Sequence, residues 1–291
     1  MRTKYQLQNP DTLHFVLTLL VVAACVFLAT GCSSLDSFGG SRQAAAQWAT
    51  ERGFVAADIK AGAFDFVAFV RRPPVSVATL TIYIEGDGAA WSTPYHPPRD
   101  PTPQKPVSLA LATADPAPAV AYLGRPCQYL DVAALAKCSS DYWAERRFAP
   151  EVIDASDAAV TQLKETYGAR RIRLVGYSGG GVVAALLAAR RDDVEAFVTV
   201  ASPLALTEWV KWHDASPLTG SLDPSAVAVS LPSGVHFAGG DDKTVPAAIV
   251  ERFVRARGGH VYVIPGFDHE CCWTRVWAGL LRRTFAQEKA K

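Results

Sequence analysis

The sequence carries almost no net charge. Its 29 Lys+Arg stand against 28 Asp+Glu, and no basic cluster breaks the mixture. That balance leaves no electrostatic footprint for a phosphate backbone, so nucleic acid is not an expected partner. Long apolar runs are missing too. Residues 15–30 (FVLTLLVVAACVFLAT) are uncharged over 16 positions, short of the ~20 that a bilayer-spanning helix needs. There is no internal repeat, and the one biased tract is residues 92–106 (STPYHPPRDPTPQKP), with six prolines. No cysteine pair has C-x-x-C spacing. Cys271 and Cys272 adjoin His269 and Glu270, but neighbouring cysteines converge poorly on one ion, so no metal is expected. What remains is 291 residues, 49% hydrophobic and 20% charged, enough for one large globular domain or two small ones.

The N-terminus reads as an address rather than as fold. Arg2 and Lys4 make a basic start, and residues 15–30 fit the apolar core of a signal peptide. Residues 28–32, LATGC, resemble the lipobox of bacterial lipoproteins, with the usual leucine one place early at Leu28. The resemblance implies a signal peptide over 1–31, cleavage before Cys32, and acyl chains on Cys32 that tether the chain to a membrane. Ser33 in the next position implies the outer membrane, with the body facing the periplasm. Residues 32–50 read as a tether that becomes an amphipathic helix near Arg42, and 51–291 as the folded domain.

With Cys25 in the signal and Cys32 as the lipid site, four cysteines are left in an oxidising compartment. Three pairings are open. A short local loop favours Cys127–Cys138. Cys271 and Cys272 would then pair with each other, or either could bridge to the 127–138 segment.

The chain is organised around residues 171–190, RIRLVGYSGGGVVAALLAAR. Ile172, Leu174 and Val175 form a short apolar run suited to a strand buried on both faces. From Val182 a longer Ala/Leu/Val run ends in Arg190 and Arg191, as at a helix C-terminus. Between them, Gly176, Ser178 and Gly180 match G-x-S-x-G. Such a turn strains the serine backbone and lifts its Oγ clear of the sheet. The flanking glycines are needed where a Cβ would strike the neighbouring strand and helix.

Strands and helices alternate on either side. Residues 54–70 predict a strand pair, and 79–84 (TLTIYI) a strand ending in EGDG. Residues 107–114 predict a helix, 120–124 a strand, and 141–168 a region containing a long helix capped by Gly168. After the central stretch come a strand at 194–200 and an irregular segment at 204–232 that reads as a small cap insertion. A strand at 235–238, a helix from Pro246, a strand at 260–264 and a helix over 274–286 complete the pattern. Alternation of this kind means a mostly parallel sheet with helices on both faces.

Serine needs a base to act as a nucleophile, and the base needs an orienting carboxylate. Asp242, in D-K-T-V-P, and His269, in GFDH, lie just past predicted strands. Spacing to the V-P pair favours Asp242 over Asp241. In the order Ser178, Asp242, His269, the chain resembles an α/β-hydrolase over roughly residues 75–287. More specifically, it is similar to a group of bacterial exported α/β-hydrolase-like proteins. That likeness lies in IEGDGAAW, Asp100 to Pro103, GRPCQY (Gly124 to Tyr129), VGYSGGG and GFDHECCW, and it implies the fold without naming a substrate.

The resemblance implies Ser178 as nucleophile, His269 as base and Asp242 as its orienting acid. It implies an oxyanion hole from the N–H groups of Gly179 and Asp87, with Gly88 next in line, although Glu85 stands where the family carries histidine. Such chemistry needs no cofactor. The expected function is hydrolysis of carboxylic esters or thioesters, with a small-molecule or lipid acyl group as substrate. An amidase or peptidase on the same triad, and a non-catalytic envelope binding protein on this fold, are the alternatives.

Overall fold

The computed structural model describes residues 39–71, 77–89 and 96–288. The residues read as a signal peptide and the expected lipid site at Cys32 lie outside the described residues, as do residues 92–95 of the proline-rich loop. In chain order the elements are α1 (Arg42–Thr50), β1 (Val55–Ala61), β2 (Phe64–Arg71), β3 (Thr79–Ile84), α2 (Val107–Ala114) and β4 (Val120–Leu123). A short α3 (Val132–Leu135) and a single 3₁₀ turn (Ser140–Trp143) lead to α4 (Pro150–Tyr167) and β5 (Arg171–Tyr177). Then come α5 (Gly179–Ala188), β6 (Val194–Val200), α6 (Leu206–Trp212), β7 (Val235–Gly239), α7 (Ala247–Arg257), β8 (His260–Ile264) and α8 (Trp273–Glu288).

The eight strands form one sheet in the order β1-β2-β4-β3-β5-β6-β7-β8. β1 and β2 make an antiparallel hairpin, β2 meets β4 antiparallel, and every later pairing is parallel. The period-2 side-chain alternation of a strand decides what each face buries. Leu80, Ile82 and Ile84 of β3 join one core with α4, α5 and the Ile249–Val250–Phe253 stripe of α7. Tyr83 joins the opposite core with α1, α2 and the Trp273, Trp277 and Leu281 side of α8. This two-sided burial is why β5 and β6 read as apolar runs rather than as alternating patterns.

Local signals end the helices as expected. Gly168 sits left-handed (φ 62°) at the end of α4, and its N–H returns to the helix. That helix starts at Pro150, nine residues into the segment from which it was expected. The amphipathic helix expected near Arg42, at the end of the 32–50 segment, is α1, and it packs into the folded body. α1 is capped by Ser41, whose Oγ accepts from the Ala44 N–H, and its Ala45 and Ala49 are buried in the folded body. Residues 204–232 hold only the short α6. Their Leu218, Leu222, Val227 and Leu231 pack onto the sheet core, so the segment lies along the body. No helix among the described residues is long and apolar enough to cross a membrane.

Candidate active site

Parallel strands gather their following loops at one edge of the sheet. β3 is followed there by residues 85–88, β5 by Ser178, β7 by Asp242 and β8 by His269. Ser178 takes φ 50° and ψ −124°, a left-handed backbone rare for a residue with a side chain. Its N–H donates to the Val200 carbonyl (2.9 Å), which ties the turn to the neighbouring strand. The glycine spacing has the expected steric origin. A Cβ on Gly176 would lie 2.3 Å from the Gly180 carbonyl oxygen, and one on Gly180 would lie 2.2 Å from that of Ile84.

Asp242 is held by its own loop. Its Oδ1 accepts from the N–H groups of Thr244 (2.9 Å) and Val245 (2.8 Å). That leaves Oδ2 free to face His269, 2.8 Å from Nδ1. A carboxylate only accepts, so His269 Nδ1–H is the donor and Nε2 is left to accept from the Ser178 hydroxyl, 3.0 Å away. The main chain of His269 is pinned as well: its carbonyl accepts from the Tyr177 hydroxyl and from Trp273 Nε1, both at 3.1 Å. One donor is local, at the start of α8 four residues on, and the other comes from the end of β5, 92 residues back, so the main chain that carries the imidazole is tied to both. The buried histidine His236 stands apart from this line: it bonds Thr199 at 2.9 Å and packs against Phe197 and Phe253 in the core. Burial pushes its pKa down to about 3, which keeps it neutral.

Gly179 opens α5, where the first N–H groups have no partner within the helix. Across from it runs the 85–88 loop. Gly86 comes so close that a Cβ on it would lie 3.2 Å from the Ser178 Cβ. Asp87 follows, its carboxylate against Gly179: a Cβ on Gly179 would fall 1.9 Å from Asp87 Oδ1. Gly88 (φ 94°) packs instead against Pro101 and Gln128. The structure thus brings Gly179 and Asp87 together beside Ser178 and turns Gly88 to other neighbours.

Three charged residues of this region were not foreseen as a group. Arg125 donates to Asp87 Oδ1 (3.2 Å) and Arg147 to Oδ2 (2.8 Å). Burial alone would raise the Asp87 carboxyl, but the two guanidiniums outweigh it and hold the pKa below the usual carboxylate value. Beneath the loop, Glu85 is fully buried, and its Oε1 accepts from the N–H groups of Gly86 (3.0 Å) and Ser108 (3.4 Å). Desolvation lifts its pKa to about 7 in spite of these two donors. A signal for Arg125 existed in the GRPCQY stretch; Arg147 carried none.

The cysteines pair as Cys127–Cys138 and, between neighbours, Cys271–Cys272.

No protein-family model and no curated protein matches the chain. Solved structures do. Est1E from Butyrivibrio proteoclasticus is 16% identical with a TM-score of 0.54, over 81% of this chain and 99% of that one. An esterase from Pyrococcus furiosus is 14% identical with a TM-score of 0.55, over 82% and 94%. An alpha-beta serine hydrolase homologue from Coxiella burnetii is 15% identical with a TM-score of 0.53, over 80% and 96%. Likeness across nearly the whole of those chains, on a mostly parallel sheet flanked by helices, establishes that this chain has the α/β-hydrolase fold.

Proposed function

We propose that the chain is a serine hydrolase that cleaves carboxylic esters or thioesters through an acyl-enzyme on Ser178. The observation that carries this reading is the hydrogen-bonded line from Ser178 through His269 to Asp242, at 3.0 and 2.8 Å, with the serine on a strained turn. Ser178 Oγ attacks the substrate carbonyl carbon while its proton passes to His269 Nε2. The carbonyl oxygen becomes an oxyanion, which accepts from the N–H groups of Gly179 and Asp87. Collapse expels the alcohol or thiol, which takes the proton from Nε2. Water then adds to the acyl ester, giving its proton to the same nitrogen, and the carboxylic acid leaves as Ser178 is restored. Asp242 holds the imidazole in the tautomer that both steps need. Esterases among the structural neighbours favour ester over amide substrates, and one such structure is Est1E with ferulic acid bound. Acylation at Cys32 would hold this chemistry at a membrane surface, where lipid acyl groups are at hand.

The test is fluorophosphonate labelling and ester turnover by the folded domain, alongside Ser178→Ala, His269→Ala and Asp242→Asn. Labelling lost in the first two variants, and turnover lowered by roughly 10⁴ in the third, is the expected result. A folded wild type that neither labels nor turns over a panel of acyl esters refutes the reading. Faster turnover of aminoacyl amides than of esters would move it to an amidase.

A further inference from the structure

The GRPCQY stretch and Arg147 have no part in the triad, yet they surround the loop that lies across from Gly179. We propose that Arg125 and Arg147 are positioning residues that clamp the Asp87 carboxylate and so fix the Asp87 N–H toward the substrate oxyanion. The inference rests on the serine-hydrolase reading.

An aspartate in this loop is a liability unless it is neutralised. Its carboxylate lies against Gly179, where negative charge develops on the substrate oxygen, and like charges there raise the barrier. Arg125 on Oδ1 and Arg147 on Oδ2 place two cations against one anion. They also supply geometry. Only two side-chain torsions separate an aspartate carboxylate from its main chain, so fixing both oxygens restrains the peptide that carries the N–H.

The clamp is itself held. Arg125 is 4% exposed, donates from Nη2 to the Arg147 carbonyl, and lies 5.1 Å from the Phe148 ring centroid. Arg147 donates from Nε to the Ala144 carbonyl. A second tie comes from the same stretch. Gln128 Oε1 accepts from the Arg125 N–H (3.0 Å), and its Nε2 donates to the Gly86 carbonyl (3.1 Å). Residues 85–88 are therefore gripped at a carbonyl and at a carboxylate by one short segment. That segment holds two non-glycine residues in the left-handed region, Cys127 (φ 71°) and Tyr129 (φ 62°), and the Cys127–Cys138 disulfide closes it. Strained backbone persists where surrounding contacts over-determine it, and it clusters at functional sites.

A purely structural ion triad would change stability and leave the split between kcat and KM alone, so kinetics decide. The variants are Arg147→Gln, Arg147→Lys and Asp87→Asn, with Arg146→Gln as control because Arg146 pairs with Glu151 at the surface. Each is assayed with a short-chain ester and with a trifluoromethyl ketone, which mimics the tetrahedral intermediate.

Deleting an oxyanion donor outright costs about 10²–10³ in kcat. A displaced donor is expected to cost about 10- to 100-fold, with KM little changed and ketone affinity falling in parallel. Arg147→Lys should recover part of the loss, and Arg146→Gln should show none. A folded Arg147→Gln with kcat and ketone affinity within about twofold of wild type overturns the clamp. Should that variant fail to fold, Asp87→Asn weakens the same contact from its partly exposed end and is judged by the same criterion. Wild type without turnover sinks the serine-hydrolase reading; active wild type with unperturbed variants sinks the clamp alone.

Discussion

Replacing Glu85 with glutamine should make the fold more tolerant of alkali, by an amount the structure sets. Glu85 is fully buried between the sheet and α2. Its pKa rises from an ordinary 4.5 to about 7 because desolvation disfavours the carboxylate. The folded state therefore keeps this proton to near pH 7, while the unfolded chain gives it up at about 4.5. Protonation favours the folded form, so its contribution is fully present at low pH and is lost as pH rises through that window. A shift from 4.5 to about 7 corresponds to roughly 3 kcal/mol at 1.36 kcal/mol per unit.

Glutamine keeps an oxygen for the Gly86 and Ser108 N–H groups and removes the titration. His236 hides this effect in the wild type alone. Its pKa falls from 6.5 to about 3, so its contribution is present above 6.5 and lost as pH falls, a slope of opposite sign. The readout is thus the difference in urea-unfolding free energy between wild type and Glu85→Gln, followed from pH 4.5 to about 8. Wild type should lose roughly 3 kcal/mol relative to the variant across that range. A difference constant to within about 1 kcal/mol would refute the reasoning.

Two further outcomes follow from local geometry. Gly180→Ala should destabilise by at least about 2 kcal/mol, because its Cβ would meet the main-chain oxygens of Ile84 (2.2 Å) and Glu85 (2.5 Å), which cannot swing aside. Thermal unfolding checks this, and a shift under about half a kcal/mol would contradict the assigned turn. Cys138→Ser opens a loop spanning a sequence separation of 11, for which chain entropy predicts a loss of about 3 kcal/mol. Chemical denaturation of variant and wild type under non-reducing conditions measures it, and no loss would mean that the bridge is absent in solution.

Much of the fold was written in short-range patterns. TLTIYI alternates as β3 does. The apolar run before Ser178 is β5, and the small-residue run after it is the fully buried α5. Gly168 ended α4 where its left-handed backbone was needed, and the cysteines 127 and 138 closed a local loop. The start of α4 was less legible. Residues 140–149 first make a 3₁₀ turn, and the helix waits for Pro150. α1 was legible as an amphipathic helix near Arg42; that it belongs to the folded body is decided by the burial of Ala45 and Ala49.

The site divides along the same line. The elbow glycines, the acid before V-P and the histidine after the last strand are sequence features, since backbone sterics and strand-end placement act within a few residues. Contacts such as Asp87–Arg147, 60 residues apart, leave no such trace. Neither do the insertion of β4 between β2 and β3 or the Tyr177 hydroxyl from β5 that pins the His269 carbonyl. By itself the sequence determined the elements, their alternation and the residue types able to form a triad, because propensity, periodicity and steric exclusion are local. Tertiary structure decided which loops meet at the sheet edge and that two buried arginines share one aspartate, because those depend on strand order and on charges paired across the fold.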